Sequence, residues 1–266
     1  MAAFGAGAAQ RLALEEAASL SWWTGDRVAA DAPALWLSYR IGAAGEGGDG
    51  LIRTAWAARH LAAQAGPLGL AARLAAALGG EGRSDAGLIG DVAAELDGLT
   101  ATSETARGCA LFHLWRALEE RPDHLRGLEA AVLGARLAVR PGGGLPYLPL
   151  SLTGFSALTA TGATDRRLAG WILGAHRSVL SALMALERLA AWRARAEAET
   201  ADLQGRTPAR LIAALAAQPM LGAAQAEAET GASRAAVQRN LDLLVARGLV
   251  REVTGQGRFR VWAAKL

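Results

Sequence analysis

TPARLIAALAAQPMLGAAQAEAETGASRAAVQRNLDLLVARGLVREVTGQGRFRVW runs from Thr207 to Trp262, and its reading sets the reading of the whole chain. Thr207-Pro208 is a cap followed by proline at a first helical position, where the missing N–H costs nothing. Leu211, Ile212 and Leu215 make the inner face of that helix, and Gln218-Pro219 ends it. The short segment GAAQAEAETG stops at Gly231, which supplies the positive φ that a tight turn between helices needs. Ser233 then caps a third helix in which Val237, Leu241 and Leu244 recur at i, i+4 and i+7 and so face inward. Gly248 closes it. Two strand-like runs follow, Leu249–Thr254 and Arg258–Trp262, joined at Gly255-Gln256-Gly257. Helix, helix, tight turn, helix and β-hairpin, in that order, predict a winged helix-turn-helix over residues 206–266.

That pattern also predicts a surface. With Val237, Leu241 and Leu244 turned inward, Arg234, Gln238 and Arg239 point outward, and Ala235 lies near the helix tip beside the Ser233 cap. Arginine and glutamine are the residue types that read guanine and adenine edges in a major groove. Arg251 lies on the first strand, Gln256 at the hairpin tip, and Arg258 and Arg260 on one face of the second strand. Arginines so placed grip phosphates or enter a minor groove. Charge agrees with this. From Arg206 onward nine basic residues face four acidic ones, whereas residues 1–205 carry 19 basic and 21 acidic groups. The basic excess belongs to the C-terminal segment alone, as suits a module that meets a polyanion.

Ahead of this module the chain is expected to be all-α. Helical spacing recurs from residue 6 to about 137, interrupted at Thr24-Gly25, at the loop AAGEGGDG and at Gly66-Pro67. Ser84, and Thr102 or Ser103, are candidate N-caps, and Pro122 a first-turn proline. Residues 1–140 therefore read as a helical bundle. RPGGGLPYLP, residues 140–149, is too rich in glycine and proline for a helix and opens a loop region over 141–163. Residues 164–205 return to helical spacing, as one long helix or as two with a kink near Gly174, in the place of a linker or dimerisation strut or of the last helix of the bundle.

ASRAAVQRNLDLLVARGLVREVTGQGRFRVW resembles the tail of alphaproteobacterial helix-turn-helix proteins, often plasmid-borne in rhizobia, that carry a domain of unknown function before a C-terminal winged helix. LPYLPLSL and the charged helix after it are also similar, so the resemblance covers residues from about 145 onward. It implies a DNA-binding fold and no reaction. The tail is also similar to the winged helix of Fic-type AMP-transferases. Their His-Pro-Phe run and Gly-Asn-Gly-Arg loop do not occur here, since His176 stands in GAHRSVL, so that chemistry does not carry over.

Nothing else in the sequence advertises catalysis. His60, His113, His124 and His176 form no i, i+4 pair, and the one cysteine, Cys109, lies in an apolar helical run and excludes an internal disulfide. Asp91, Glu95 and Asp97, like Glu119-Glu120, read as solvated helix faces. No enzyme, metal or cofactor is expected. No uninterrupted apolar run reaches the roughly 18 residues of a membrane span and no basic leader precedes residue 20, so a cytoplasmic location is expected. The expectation is thus a DNA-binding transcriptional regulator, double-stranded DNA its ligand, acting as a homodimer, with a helical body that meets a protein partner or small effector. An adaptor whose winged helix docks on a partner protein is the alternative.

Overall fold

The computed structural model describes residues 5–39, 48–64, 69–78, 86–99, 102–140, 144–255 and 259–266. The chain is mainly helical, with a small three-stranded antiparallel sheet near the C-terminus. It divides into two compact units. One is Leu12–Ala182; the other unites Leu183–Leu266 with the N-terminal residues up to Arg11.

The larger unit takes in most of α1 (Gly5–Thr24), then α2 (Asp31–Tyr39), α3 (Gly48–Ala62), α4 (Leu70–Leu78), α5 (Ala86–Asp97), α6 (Glu104–Leu118), α7 (Asp123–Leu137), the single turn α8 (Ser156–Thr159) and the first half of α9 (Thr164–Glu199). Ser103 caps α6 by accepting from the Ala106 N–H at 3.3 Å. Pro122 sits one position earlier than its spacing suggested, as the N-cap of α7, where φ −49° and ψ 142° leave Asp123 as the first helical residue. The Ser84 cap lies outside the described residues.

Helices α6 and α7 cross at glycine. A Cβ on Gly108 would stand 2.5 Å from the Gly134 carbonyl oxygen, and one on Gly134 only 2.8 Å from the Gly108 oxygen and 3.0 Å from the Trp171 ring. The near-contact of backbones brings Phe112, Trp115 and Trp171 into one fully buried cluster. Gly108→Ala is therefore expected to force the helices apart and to destabilise this unit by about 1–3 kcal/mol, read as a lowered urea midpoint. An unchanged midpoint would show that the crossing can give way freely.

Residues 144–151 are an irregular segment without helix or strand, and much of it is core. Tyr147 and Leu150 are fully buried, Pro146 and Pro149 are buried beside them, and Leu148 donates its N–H to the Ala135 oxygen at 2.9 Å. Glu16 from α1 accepts both the Leu150 and Ser151 N–H groups on one oxygen, at 2.8 and 2.9 Å. Ser19 donates to the Ser151 oxygen at 2.7 Å. A segment without regular hydrogen bonds is thus satisfied from a neighbouring helix.

One continuous helix spans Thr164–Glu199, with no kink at Gly174. That glycine serves a close approach instead: a Cβ there would stand 2.5 Å from the Ala157 nitrogen. By length and composition α9 is apolar enough to cross a membrane, with a mean hydropathy of 1.2 over its best window, of which 33% is buried. Charge and polarity at its far end, and the burial of Leu189, Trp192 and Ala196 against the C-terminal helices, place that end in a protein core.

Candidate nucleic-acid interface

The smaller unit is built on the last turns of α9. Leu189, Trp192 and Ala196 join Leu211, Ile212 and Leu215 of α10 (Thr207–Ala217), Val237, Leu241 and Leu244 of α12 (Arg234–Ala246), and Trp262 in one core. Trp192 donates its indole N–H to the Leu249 carbonyl at 2.7 Å. Arg247, at the C-cap of α12, makes a two-pronged pair with Asp202 at 2.7 and 2.8 Å, which holds the Asp202 carboxyl below its ordinary range. Arg11 donates to the Leu215 and Gln218 carbonyls at the C-terminal end of α10.

Between α10 and α12 lies α11 (Ala223–Thr230), ended by Gly231 at φ 66°. The turn is fastened from three sides. Thr230 donates its hydroxyl to the Ala226 oxygen at 2.6 Å and accepts from the Ala232 N–H at 3.2 Å, while Arg210 donates to the Thr230 carbonyl at 2.6 Å. Ser233 then caps α12 through the Ala236 N–H at 3.4 Å. Because the turn is fixed, the exposed side of α12 is presented rigidly.

The sheet is formed by β1 (Leu221–Gly222), β2 (Val250–Glu252) and β3 (Val261–Ala264), in the order β1-β3-β2. Register pairs Val250 with Ala264, Arg251 with Ala263 and Glu252 with Trp262. The strand β1, two residues long, carries no periodicity and was not anticipated. Its pairing with β3 makes β3 the central strand, so Val261–Ala264 are all buried and the expected half-buried alternation fails there. The strands are also shorter than the sequence runs suggested. Phe259 is 82% exposed at φ 58°, a left-handed backbone that an aromatic residue rarely adopts.

The anticipated contact residues fall into three groups. Arg234, Ala235 and Arg239 are exposed on α12, and neither arginine takes part in an ion pair or hydrogen bond among the described residues. Gln238 and Arg260 are engaged within the protein. The Gln238 amide donates to Asp242 at 2.9 Å, and Arg260 donates to Glu252 at 2.7 Å and to Asp242 at 3.3 Å while lying 5.1 Å over the Trp262 ring. The Glu252 contact raises the Arg260 pKa above its ordinary value. Arg251 is half-buried on β2, opposite Ala263. Gln256 and Arg258 lie outside the described residues.

Arg260 therefore pairs with two carboxylates, Glu252 and Asp242. No signal in the sequence marked that role, because Glu252 is eight residues away and reaches Arg260 only across the sheet. No protein-family model matches the chain, and no curated protein matches it.

In the larger unit Glu119, read as a solvated acid, is buried and bonded to Arg121 at 2.9 Å, and the same guanidinium pairs with buried Glu129. Hydrogen bonding from Arg121 lowers the Glu119 pKa, while burial raises that of Glu129. The cluster is a satisfied ion triplet. Burial pushes the Cys109 thiol up to about 11, which leaves it protonated and inert at neutral pH.

Proposed function

We propose that the C-terminal unit is a winged helix-turn-helix that binds duplex DNA, as the module of a cytoplasmic transcriptional regulator. The observation that carries this reading is the state of the arginines. Arg210, Arg247 and Arg260 are spent on protein acceptors, whereas Arg234 and Arg239 stand exposed and unpaired on the outer side of a helix whose inner side is fully buried. A rigid turn and an N-terminal cap aim that helix, and nothing in the packing needs either arginine. In this reading Arg234 and Arg239, with Ala235 at the tip, meet the major groove, and the hairpin carrying Gln256, Arg258 and Phe259 meets the backbone. Arg251 and Gln238 flank them, and Arg260 pairs with Glu252 and Asp242. The tail's resemblance to rhizobial helix-turn-helix proteins points the same way.

A single module of this kind buries little surface, so the reading includes a dimer on two half-sites. In support, α9 carries Ile172, Leu173, Leu180, Leu183 and Met184 about half exposed, an apolar load that a monomer leaves in water.

Selection of the intact protein against a random duplex pool at two salt concentrations tests the proposal. Enrichment of paired half-sites about 10 base pairs apart is expected. Log affinity should fall against log salt by about 0.9 for each phosphate neutralised. Arg234→Ala with Arg239→Ala should weaken specific binding by more than about ten-fold. Failure to bind at low salt, or a double variant that binds as the parent does, would reject DNA in favour of docking on a protein partner.

A further inference from the structure

The larger unit holds a cavity of about 330 Å³, lined by Trp23 and Thr24 of α1, Arg116 of α6, Asp123 and His124 of α7, and Leu158, Thr159 and Thr161. Its size stands at the small end of the ligand-site range of roughly 300–1,000 Å³, which admits a single-ring molecule and excludes a dinucleotide. All of these residues belong to one unit, so the cavity is complete within it.

The wall chemistry is specific. The Arg116 guanidinium lies 5.6 Å from the Trp23 ring and 5.6 Å from the Phe112 ring. The two ring centroids are themselves 6.2 Å apart, so both rings lie toward the same side of the guanidinium and hold it by cation–π attraction. Trp23 is held in turn, because its ring edge reaches α7 at Gly127, where an added Cβ would stand 3.3 Å away. Leu158 is buried and apolar, and with Trp23 it supplies the apolar part of a lining that is otherwise polar. Thr159 and Thr161 also line the cavity, the Thr159 hydroxyl donating to the Phe155 carbonyl at 3.0 Å and keeping its oxygen lone pairs as acceptors.

Charge decides the ligand's sign. Among the described residues that line the cavity Asp123 is the one carboxylate, and it is shared by two guanidiniums, Arg116 of the lining at 3.0 Å and Arg126 behind it at 3.2 Å. Two cations against one anion leave the neighbourhood positive. Neighbouring His113 reports the same field: burial lowers its pKa first, and Arg167 and Arg116 lower it further. Arg116 spends one terminal nitrogen on Asp123, its Nε is buried, and its other terminal nitrogen makes no hydrogen bond among the described residues. A guanidinium has five N–H donors, so an incoming carboxylate finds donors ready. A dianion would meet the nearby Asp123, so one negative charge suits the site better than two.

We propose that this cavity binds a small aromatic monocarboxylate. The ring lies against Trp23 and Leu158, the carboxylate on Arg116, and a ring hydroxyl reaches Thr159 or Thr161. The site stands independently of DNA binding, and its test contains no DNA, so the two readings fail separately.

The test is calorimetric titration of the intact protein with 4-hydroxybenzoate, beside 4-hydroxybenzyl alcohol, acetate and phenyl phosphate. One site per chain is expected for 4-hydroxybenzoate. The uncharged alcohol, ringless acetate and dianionic phosphate should each bind roughly ten-fold more weakly or worse. Arg116→Gln keeps bulk and removes the charge, and should lose about the same factor. Thr161→Trp, at an exposed position, should abolish binding by filling the cavity. It decides the matter should Arg116→Gln fail to fold by circular dichroism. Absence of saturable binding, equal binding of the alcohol, acetate or phosphate, or binding that survives Thr161→Trp in folded protein would overturn the assignment.

Discussion

Trp192→Ala should cost the C-terminal unit most of its stability while leaving the larger unit folded. The side chain is 2% exposed, and its neighbours Leu189, Leu211, Leu241 and Trp262 belong to the same core. Removing a buried indole leaves a cavity as well as a lost transfer term, together about 3–5 kcal/mol. The hydrogen bond adds less than its 2.7 Å length suggests, because the Leu249 oxygen also accepts the Lys265 N–H at 3.0 Å and keeps that partner. Trp192→Phe isolates the rest: it retains most of the ring, gives up the donor, and should lose about 1 kcal/mol for the bond beyond its smaller cavity. A total of this size approaches the whole stability of a module of such length. Amide hydrogen exchange separates the units. Protection should vanish in α10 and α12 of Trp192→Ala and persist in α7, and retained protection in α12 would mean that α9 is only a tether to this module.

Trp192 also marks where reading from sequence stops. Leu189, Trp192 and Ala196 recur at helical spacing, so a buried stripe was visible, but periodicity does not tell which body a stripe faces. The spacing of the segment therefore fits a linker or strut and the last helix of the bundle alike. Local chemistry travelled better. Ser103, Ser233, Gly231 and Gly248 act where their types direct, because caps and left-handed turns are decided within a few residues. The inward set Val237, Leu241 and Leu244, and with it the outward Arg234 and Arg239, followed from one helix wheel. Legibility ended where partners are distant or pairing is non-local. The pairing of Arg260 with Glu252 across the sheet is of this kind, since no local pattern shows it. The strand β1 is too short to have a period, and β3 lost its alternation on becoming central. Likewise, the Gly/Pro segment reads as a loop and is irregular, but its composition does not tell that Tyr147 and Leu150 are core, in a segment satisfied by an α1 carboxylate whose partners lie 134 and 135 residues later.

That carboxylate carries the second large effect. Glu16 is 1% exposed, and burial, outweighing the two backbone N–H bonds that favour its charge, raises its pKa from 4.5 to about 7. Only Oε1 receives those bonds; Oε2 is buried with no partner among the described residues, as is the Tyr147 hydroxyl, whose own pKa burial and the Glu16 charge push upward. Below pH 4.5 the folded and unfolded chains both hold the proton, and the stability contribution is fully present. Between pH 4.5 and 7 only the folded chain holds it, so the unfolded state binds fewer protons and stability must fall as pH rises. Above about 7 both states are ionised and the loss is complete, at about 3 kcal/mol. Urea unfolding across this window should show that decline in the parent and not in Glu16→Gln, whose amide oxygen still accepts from Leu150 and Ser151 but does not titrate. The difference between the two proteins should shift by about 3 kcal/mol in favour of glutamine from pH 4.5 to 8. Parallel curves would mean that Glu16 ionises inside the fold at no cost, and that the two backbone N–H groups, not burial, govern it.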